Sequence, residues 1–235
     1  MSSGTSASLS PAQGHTLPGL IGLYGGSFDP VHLGHLETAD ELLARLPFAE
    51  IRLLPNARSP LKTATPSPRH RMAMLELALS GKPGLTLDAR ELRRPPPSYT
   101  VDTLRELRQE LGEAAPLVFI MGLDSFLHLP AWKDWQALTT LAHLLVVNRP
   151  GFTEDFSPEL ASWLKNVRTD EARLLQSRPS GLVHFFDTQP WQIASRDLRE
   201  AISQDADVSA FLAPAVWDYI QSHHLYRLHG DIQTQ

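Results

Sequence analysis

The sequence predicts an α/β protein with a doubly wound, mostly parallel sheet. Three observations predict it. Short apolar runs recur along the chain, amphipathic segments separate most of them, and a Gly-Gly turn follows the first run directly. Strands that alternate with helices pair in parallel through right-handed crossovers.

The strands are expected at Ile21 to Tyr24, Ile51 to Leu54, Leu85 to Leu87, Leu117 to Met121, Leu144 to Val147 and Val183 to Phe186. Leu117 to Met121 and Leu144 to Val147 are unbroken apolar runs, the pattern of a strand buried on both faces, while Ile51 to Leu54, Leu85 to Leu87 and Val183 to Phe186 are strand-like runs that each carry one polar residue. Helical spacing of apolar residues marks Leu36 to Leu46, Arg69 to Leu79, Val101 to Leu111 and Asp155 to Leu164. Two more helices close the chain, Ser195 to Ile202 and Ala215 to Gln221. Residues 20–228 read as one domain of ordinary size. Residues 1–19 are rich in Ser, Pro, Gly and Ala and read as a disordered extension, and 229–235 as a flexible tail. The Pro-rich stretches Pro55 to Pro68 and Pro95 to Pro97 read as loops over the ligand-binding edge, not as domain boundaries.

Composition removes several functions. The 235 residues carry a net charge of −5, so no basic footprint points to nucleic acid. There is no cysteine, which excludes disulfides, thiolate catalysis and Cys-bound zinc and fits a reducing, cytoplasmic setting. No apolar run approaches the roughly 18 residues of a membrane span.

The chemistry concentrates in Gly25-Gly26-Ser27-Phe28-Asp29-Pro30-Val31-His32-Leu33-Gly34-His35. It lies between a strand and a helix, where backbone N–H groups and the helix dipole face a phosphate. Gly25 and Gly26 can take positive φ and let a ligand approach the backbone closely. His32 and His35 share a face once the helix has begun. Taken singly, each feature has a plain structural reading, a turn or a satisfied histidine. Their convergence within eleven residues points to nucleotide chemistry.

This stretch resembles the signature of the nucleotidyltransferase superfamily, the H-x-G-H adenylyl- and cytidylyltransferases. The resemblance implies a Rossmann-like nucleotidyltransferase fold in which the two histidines polarise the triphosphate of ATP. A substrate phosphate attacks the α-phosphorus, pyrophosphate leaves, and no covalent enzyme intermediate forms. The backbone near Gly26, Ser27 and Phe28 would cradle phosphate, with Gly25 and Gly34 allowing close approach.

Other segments are similar to the nicotinate-nucleotide branch of that superfamily. Ile193-Ala194-Ser195-Arg196-Asp197-Leu198-Arg199 resembles its second signature, Ile-Ser-Ser-Thr-x-Ile-Arg, whose hydroxyl and arginine hold the leaving phosphates. This chain keeps Ser195 and Arg199. It departs at Ala194 and at Arg196, which either replaces a lost phosphate contact or points to solvent. Gly122 and Asp124 follow the most apolar strand, where Asp124 would accept from ribose hydroxyls or cap a helix. Ser98, Tyr99 and Thr100 open a helix, with Ser98 or Thr100 as a natural N-cap, and the resemblance lays this turn against the mononucleotide. In the Trp132-Lys133-Asp134-Trp135 segment, Trp135 reads as core, while Trp132 resembles the tryptophan that stacks on the nicotinate ring. The resemblance adds Lys62, Lys133 and Arg149 of an Arg-Pro-Gly segment to the mononucleotide side, with a structural ion pair as the other reading of Arg149; Arg58, in the same loop as Lys62, either clamps phosphate or is a solvated loop charge.

The resemblance thus implies AMP transfer from ATP to nicotinate mononucleotide. Mg²⁺ would be held by the triphosphate and water, because no carboxylate cluster offers a protein site. A homo-oligomer stays open. Two other readings remain: transfer to nicotinamide mononucleotide or phosphopantetheine, and nucleotide binding without catalysis, hinted at by Ala194 and Arg196. An aminoacyl-tRNA synthetase shares an H-x-G-H-type motif, but this chain lacks the length, a Lys-Met-Ser-Lys loop and a basic surface.

Overall fold

A computed structural model describes residues 19–57, 66–95, 97–148, 155–189, 191 and 193–227. The expected N-terminal extension apart from Gly19, the C-terminal tail, and the candidate cations Arg58, Lys62 and Arg149 lie outside the described residues.

Six strands form one sheet: β1 (Leu20–Gly26), β2 (Phe48–Pro55), β3 (Leu85–Leu87), β4 (Leu117–Gly122), β5 (His143–Asn148) and β6 (Val183–Asp187). Their order is β3-β2-β1-β4-β5-β6, and every neighbouring pair is parallel. The sheet is therefore wholly parallel where a mostly parallel one is expected. The chain winds outward from β1 on one side and then returns to build β4, β5 and β6 on the other. The loops after β1 and β4 diverge at this reversal and open a crevice at the carboxyl edge.

The helices are α1 (Leu33–Arg45), α2 (Pro68–Leu79), α3 (Arg90–Arg93), α4 (Thr100–Leu111), α5 (Leu123–Leu127), α6 (Leu138–Leu141), α7 (Pro158–Val167), α8 (Ser195–Ser203) and α9 (Pro214–Ser222). On one face of the sheet, Leu20, Ile51, Val118, Ile120 and Leu145 pack against Leu36 and Leu42 of α1, Met74 and Leu75 of α2, Leu198 of α8 and Val216 of α9. On the other, Leu23, Phe119, Met121, Leu144 and Val146 meet Leu104 and Leu107 of α4, Phe126 of α5 and Leu160 of α7. Both faces are covered, which explains why the central strands β4 and β5 carry the longest apolar runs.

Boundary differences have local causes. Helix α1 starts at Leu33, three residues before the expected Leu36, and so takes Gly34 and His35 into its first turn. Helix α7 starts at Pro158 because the Ser157 hydroxyl accepts from the Leu160 N–H and proline suits the first helical position. The short helices α3, α5 and α6 span only one turn or slightly more and leave no readable period.

His143 at the start of β5 is fully buried. Its Nε2 faces the Arg178 carbonyl at 3.0 Å, and its Nδ1 accepts from the Leu182 N–H at 3.1 Å. That arrangement needs the neutral ring. Burial lowers its pKa, nearby Arg178 and Arg108 lower it further, and the Arg178 carbonyl opposes them. The folded state therefore resists a proton that the unfolded chain binds below about pH 6.5. Stability is fully present above that pH and falls as the pH drops below it, by up to about 1.4 kcal/mol per unit for one such group. Urea unfolding at pH 7, 6 and 5 should show this loss, and His143→Gln should flatten it.

Candidate active site

A cleft of about 780 Å³ opens at the reversal point. Its walls come from the ends of β1, β2 and β4, the start of α1, the turns before α4 and α8, and the segment around Trp132. Of the expected site residues, Gly25, Gly26, Ser27, His32, Gly34, His35, Ser98, Tyr99, Thr100, Gly122, Asp124, Trp132, Lys133, Ser195, Arg196 and Arg199 all line it.

The strand-to-helix turn is shaped by space, not by glycine dihedrals. Neither Gly25 nor Gly26 has positive φ; in this loop the left-handed residue is Phe28, at φ 47°. A Cβ at Gly25 would lie 2.6 Å from the Phe119 ring, and one at Gly26 2.9 Å from the Phe28 ring. The expected conformational role of the two glycines is thus replaced by close approach of aromatic rings. Phe28 does not line the cleft; its fully buried ring lies under Gly26 and meets the His35 ring edge-on at 5.0 Å between centroids. Its place is to support the turn and aim His35.

His32 and His35 do share a face. Their rings stack at 3.7 Å between centroids, tilted by 27°. His35 Nδ1 accepts from the His32 backbone N–H at 3.3 Å, which leaves the far side of the ring toward the cleft. His32 is nearly buried, whereas His35 is half-buried. A Cβ at Gly34 would crowd the His32 ring at 3.1 Å.

Helix α8 brings the second signature onto the first. Ala194 gives its N-terminus no side-chain cap, and Ala194, Ser195 and Arg196 at that terminus line the cleft. The Ser195 hydroxyl donates to the Pro30 carbonyl at 3.0 Å. Arg199 Nη1 donates to the Asp29 carbonyl at 2.6 Å and lies 3.6 Å from its Oδ2. Arg196 lines the cleft with a side chain that is 83% exposed and pairs with Asp197 at 3.3 Å.

At the other end, α4 opens differently than expected. Tyr99 occupies the N-cap, and neither Ser98 nor Thr100 caps. The reason is Arg94, whose Nη1 donates to Ser98 Oγ at 2.9 Å and to Thr103 Oγ1 at 3.1 Å. Thr103 donates in turn to the buried Glu91 at 2.8 Å. Burial pushes the Glu91 carboxyl up, against the Thr103 hydroxyl, the Ala57 N–H and Arg94. Lys133 sits 4.6 Å over the Tyr99 ring and 3.3 Å from Asp102. Trp132 stands edge-on to Phe119 at 6.3 Å on the cleft wall, while Trp135 is buried against Trp163 at 4.9 Å. The two tryptophans divide as expected. Asp124 lies in the first turn of α5, whose N-cap is Gly122, so it does not cap. Its Oδ1 occupies the space a Cβ at Gly122 would need, 2.5 Å away.

Sequence reasoning missed Arg71, Glu91 and Trp191. Arg71 is almost wholly buried and donates from Nη1 to the carbonyls of Ser27 and Asn56, both at 2.9 Å. It thereby ties the turn after β1 to the loop after β2. Trp191 lines the cleft beside Gly34 and is among the exposed large apolar side chains, a flat surface on the histidine side.

Comparison with known proteins agrees with this geometry. Residues 23–202 match the family model described as cytidylyltransferase-like. A protein of Marinomonas sp. named "Probable nicotinate-nucleotide adenylyltransferase" is 42% identical over 209 residues, 88% of this chain and 94% of its own length. One of the same name from Hahella chejuensis is 44% identical, covering 88% and 95%. In fold, the chain resembles the Plasmodium falciparum nicotinic acid mononucleotide adenylyltransferase complexed with NaAD, at a TM-score of 0.68 and 19% identity, over 89% of this chain and 98% of that one. The chain belongs to the nicotinate-nucleotide adenylyltransferase family.

Proposed function

We infer that this chain transfers AMP from ATP to nicotinate mononucleotide, forming deamido-NAD and pyrophosphate. One observation carries the reading: a single cleft holds a stacked histidine pair and an uncapped helix N-terminus at one end, and an aromatic, cationic wall at the other. The first end suits a triphosphate and the second a pyridine mononucleotide.

A phosphate oxygen of the mononucleotide attacks the α-phosphorus of ATP. The bond from that phosphorus to the bridging oxygen breaks, and pyrophosphate leaves with the electron pair. The protein's part is positioning and charge stabilisation. His35, stacked on His32, donates to phosphate oxygens as charge builds. The α8 N-terminus and Arg199 hold the leaving group, and Gly122 and Asp124 receive the ribose. Trp132 stacks on the pyridine ring, while Ser98, Tyr99, Thr100 and Lys133 surround its carboxylate. Among the described residues no three His, Asp or Glu converge as a metal cage. Mg²⁺ would be carried by the triphosphate, where it would supply charge neutralisation. No helix among the described residues is long and apolar enough to cross a membrane, and the cysteine-free composition supports a cytoplasmic enzyme.

The acid is preferred over the amide, because donors that match a carboxylate leave the amide NH₂ facing other donors. Such a mismatch costs about 1–3 kcal/mol or more beside a charge, which gives at least tens-fold discrimination. Pyrophosphate release with nicotinate mononucleotide, nicotinamide mononucleotide and phosphopantetheine tests this. The acid should dominate and phosphopantetheine should give nothing. Equal kcat/KM for acid and amide would overturn the specificity, and ATP binding without release for any acceptor would favour a non-catalytic binder.

A further inference from the structure

The C-terminal turn reaches the phosphate end of the cleft. After α9 the chain reverses through His224 and Tyr226, both with positive φ, and the Leu225 N–H donates to the Ile220 carbonyl at 3.0 Å. This places the Tyr226 hydroxyl on Asp29, 197 residues earlier, where it donates to Oδ1 at 2.7 Å. Asp29 is fully buried, and its other carboxylate oxygen, Oδ2, is the one 3.6 Å from Arg199. The loop of the first signature, the arginine of the second and the C-terminal turn thus meet at one carboxylate.

We propose that Tyr226 is a positioning residue that keeps Arg199 available to phosphate by occupying one oxygen of Asp29. The proposal rests on the adenylyl-transfer reading of the cleft. A guanidinium beside a carboxylate favours a bidentate fork that uses both oxygens and two nitrogens. A carboxylate end torsion is soft, so it can turn both oxygens toward an arginine. The phenol takes Oδ1 and opposes that turn. Arg199 is then held from one side only, through Nη1, and its remaining donors stay on the cleft wall. Losing the phenol would let Asp29 capture Arg199 and draw it from the triphosphate. The ring of Tyr226 also packs against the core beside α9, so Phe is the informative replacement: it keeps the packing and removes the hydroxyl.

The test is Tyr226→Phe alone and combined with Arg199→Ala. Expected are an ATP KM, and a Kd for a non-hydrolysable ATP analogue, raised by about 3- to 10-fold. The mononucleotide KM should stay unchanged, and the melting temperature should fall by no more than the loss of one hydrogen bond to the buried Asp29 explains. In the Arg199→Ala background the second substitution should add nothing, because both act through one guanidinium. Unchanged ATP parameters, or effects that add in the double variant, would overturn the proposal. So would an equal rise in both KM values with a lower melting temperature, which marks a packing role. A wild-type protein that binds the analogue but releases no pyrophosphate would instead overturn the transfer reading, and the Kd comparison would still decide the part played by Tyr226.

Discussion

His35→Ala should lower kcat by about 10² to 10³-fold while leaving the fold intact. Removing one positioned donor to a developing oxyanion typically has that effect. The ring lies on the cleft wall, half-buried, stacked on His32 and braced edge-on by Phe28. Its removal therefore opens space toward solvent instead of a closed cavity, and thermal stability should change little. His32→Ala should behave differently. That ring is nearly buried and supports His35 from behind, so its loss should combine a smaller rate effect with a clear drop in melting temperature. Stopped-flow or steady-state pyrophosphate assays beside thermal melts separate the two. A folded His35→Ala protein with near-normal turnover would remove the histidine pair from the mechanism.

Arg199→Ala should raise the ATP KM and lower kcat together, with kcat/KM for ATP falling by about 10²-fold or more. The arginine is the charged side chain that joins α8 to the first signature, through the Asp29 carbonyl and carboxylate. Truncation also strips an ionic partner from a fully buried Asp29, so some stability should be lost as well. Arg199→Lys should restore part of the stability but only part of the activity. A point charge cannot hold the Asp29 carbonyl and grip a phosphate fork at once. Arg196→Ala is the built-in contrast: its side chain is largely in solvent and paired with Asp197, so ATP kinetics should barely move. Equal losses from Arg196→Ala and Arg199→Ala would contradict this division.

The strands were legible because a wholly parallel sheet buries both faces, so β4 and β5 appear as runs of Leu, Val, Ile, Phe and Met and the other strands as shorter apolar clusters. The H-x-G-H stretch was legible because a phosphate turn needs small residues and donors at fixed spacing. The Trp132 and Trp135 division followed from Pro130, which puts the first in an irregular segment. What the sequence concealed was of another kind. Arg71 sits in α2 among Arg69, His70 and Glu76 and looks like an ordinary surface charge. Only the fold shows that it is buried beneath two loops. The Tyr226 and Asp29 contact spans 197 residues and carries no spacing signal. Ser98 reads as a cap until Arg94 is seen to take its hydroxyl. The role expected of glycine φ fell to Phe28, whose ring packs under Gly26. In each case a long-range partner decided the outcome, and local propensity had no access to it.

The central claim is that one cleft holds the two halves of the product at opposite ends. A crystal structure of the protein with deamido-NAD tests it most directly. The adenylyl half should lie beside His35 and the α8 N-terminus, with a phosphate oxygen within hydrogen-bond distance of the His35 ring and the pyridine ring on Trp132. Deamido-NAD bound in the reverse direction, or with its phosphates away from His35 and Arg199, would contradict it.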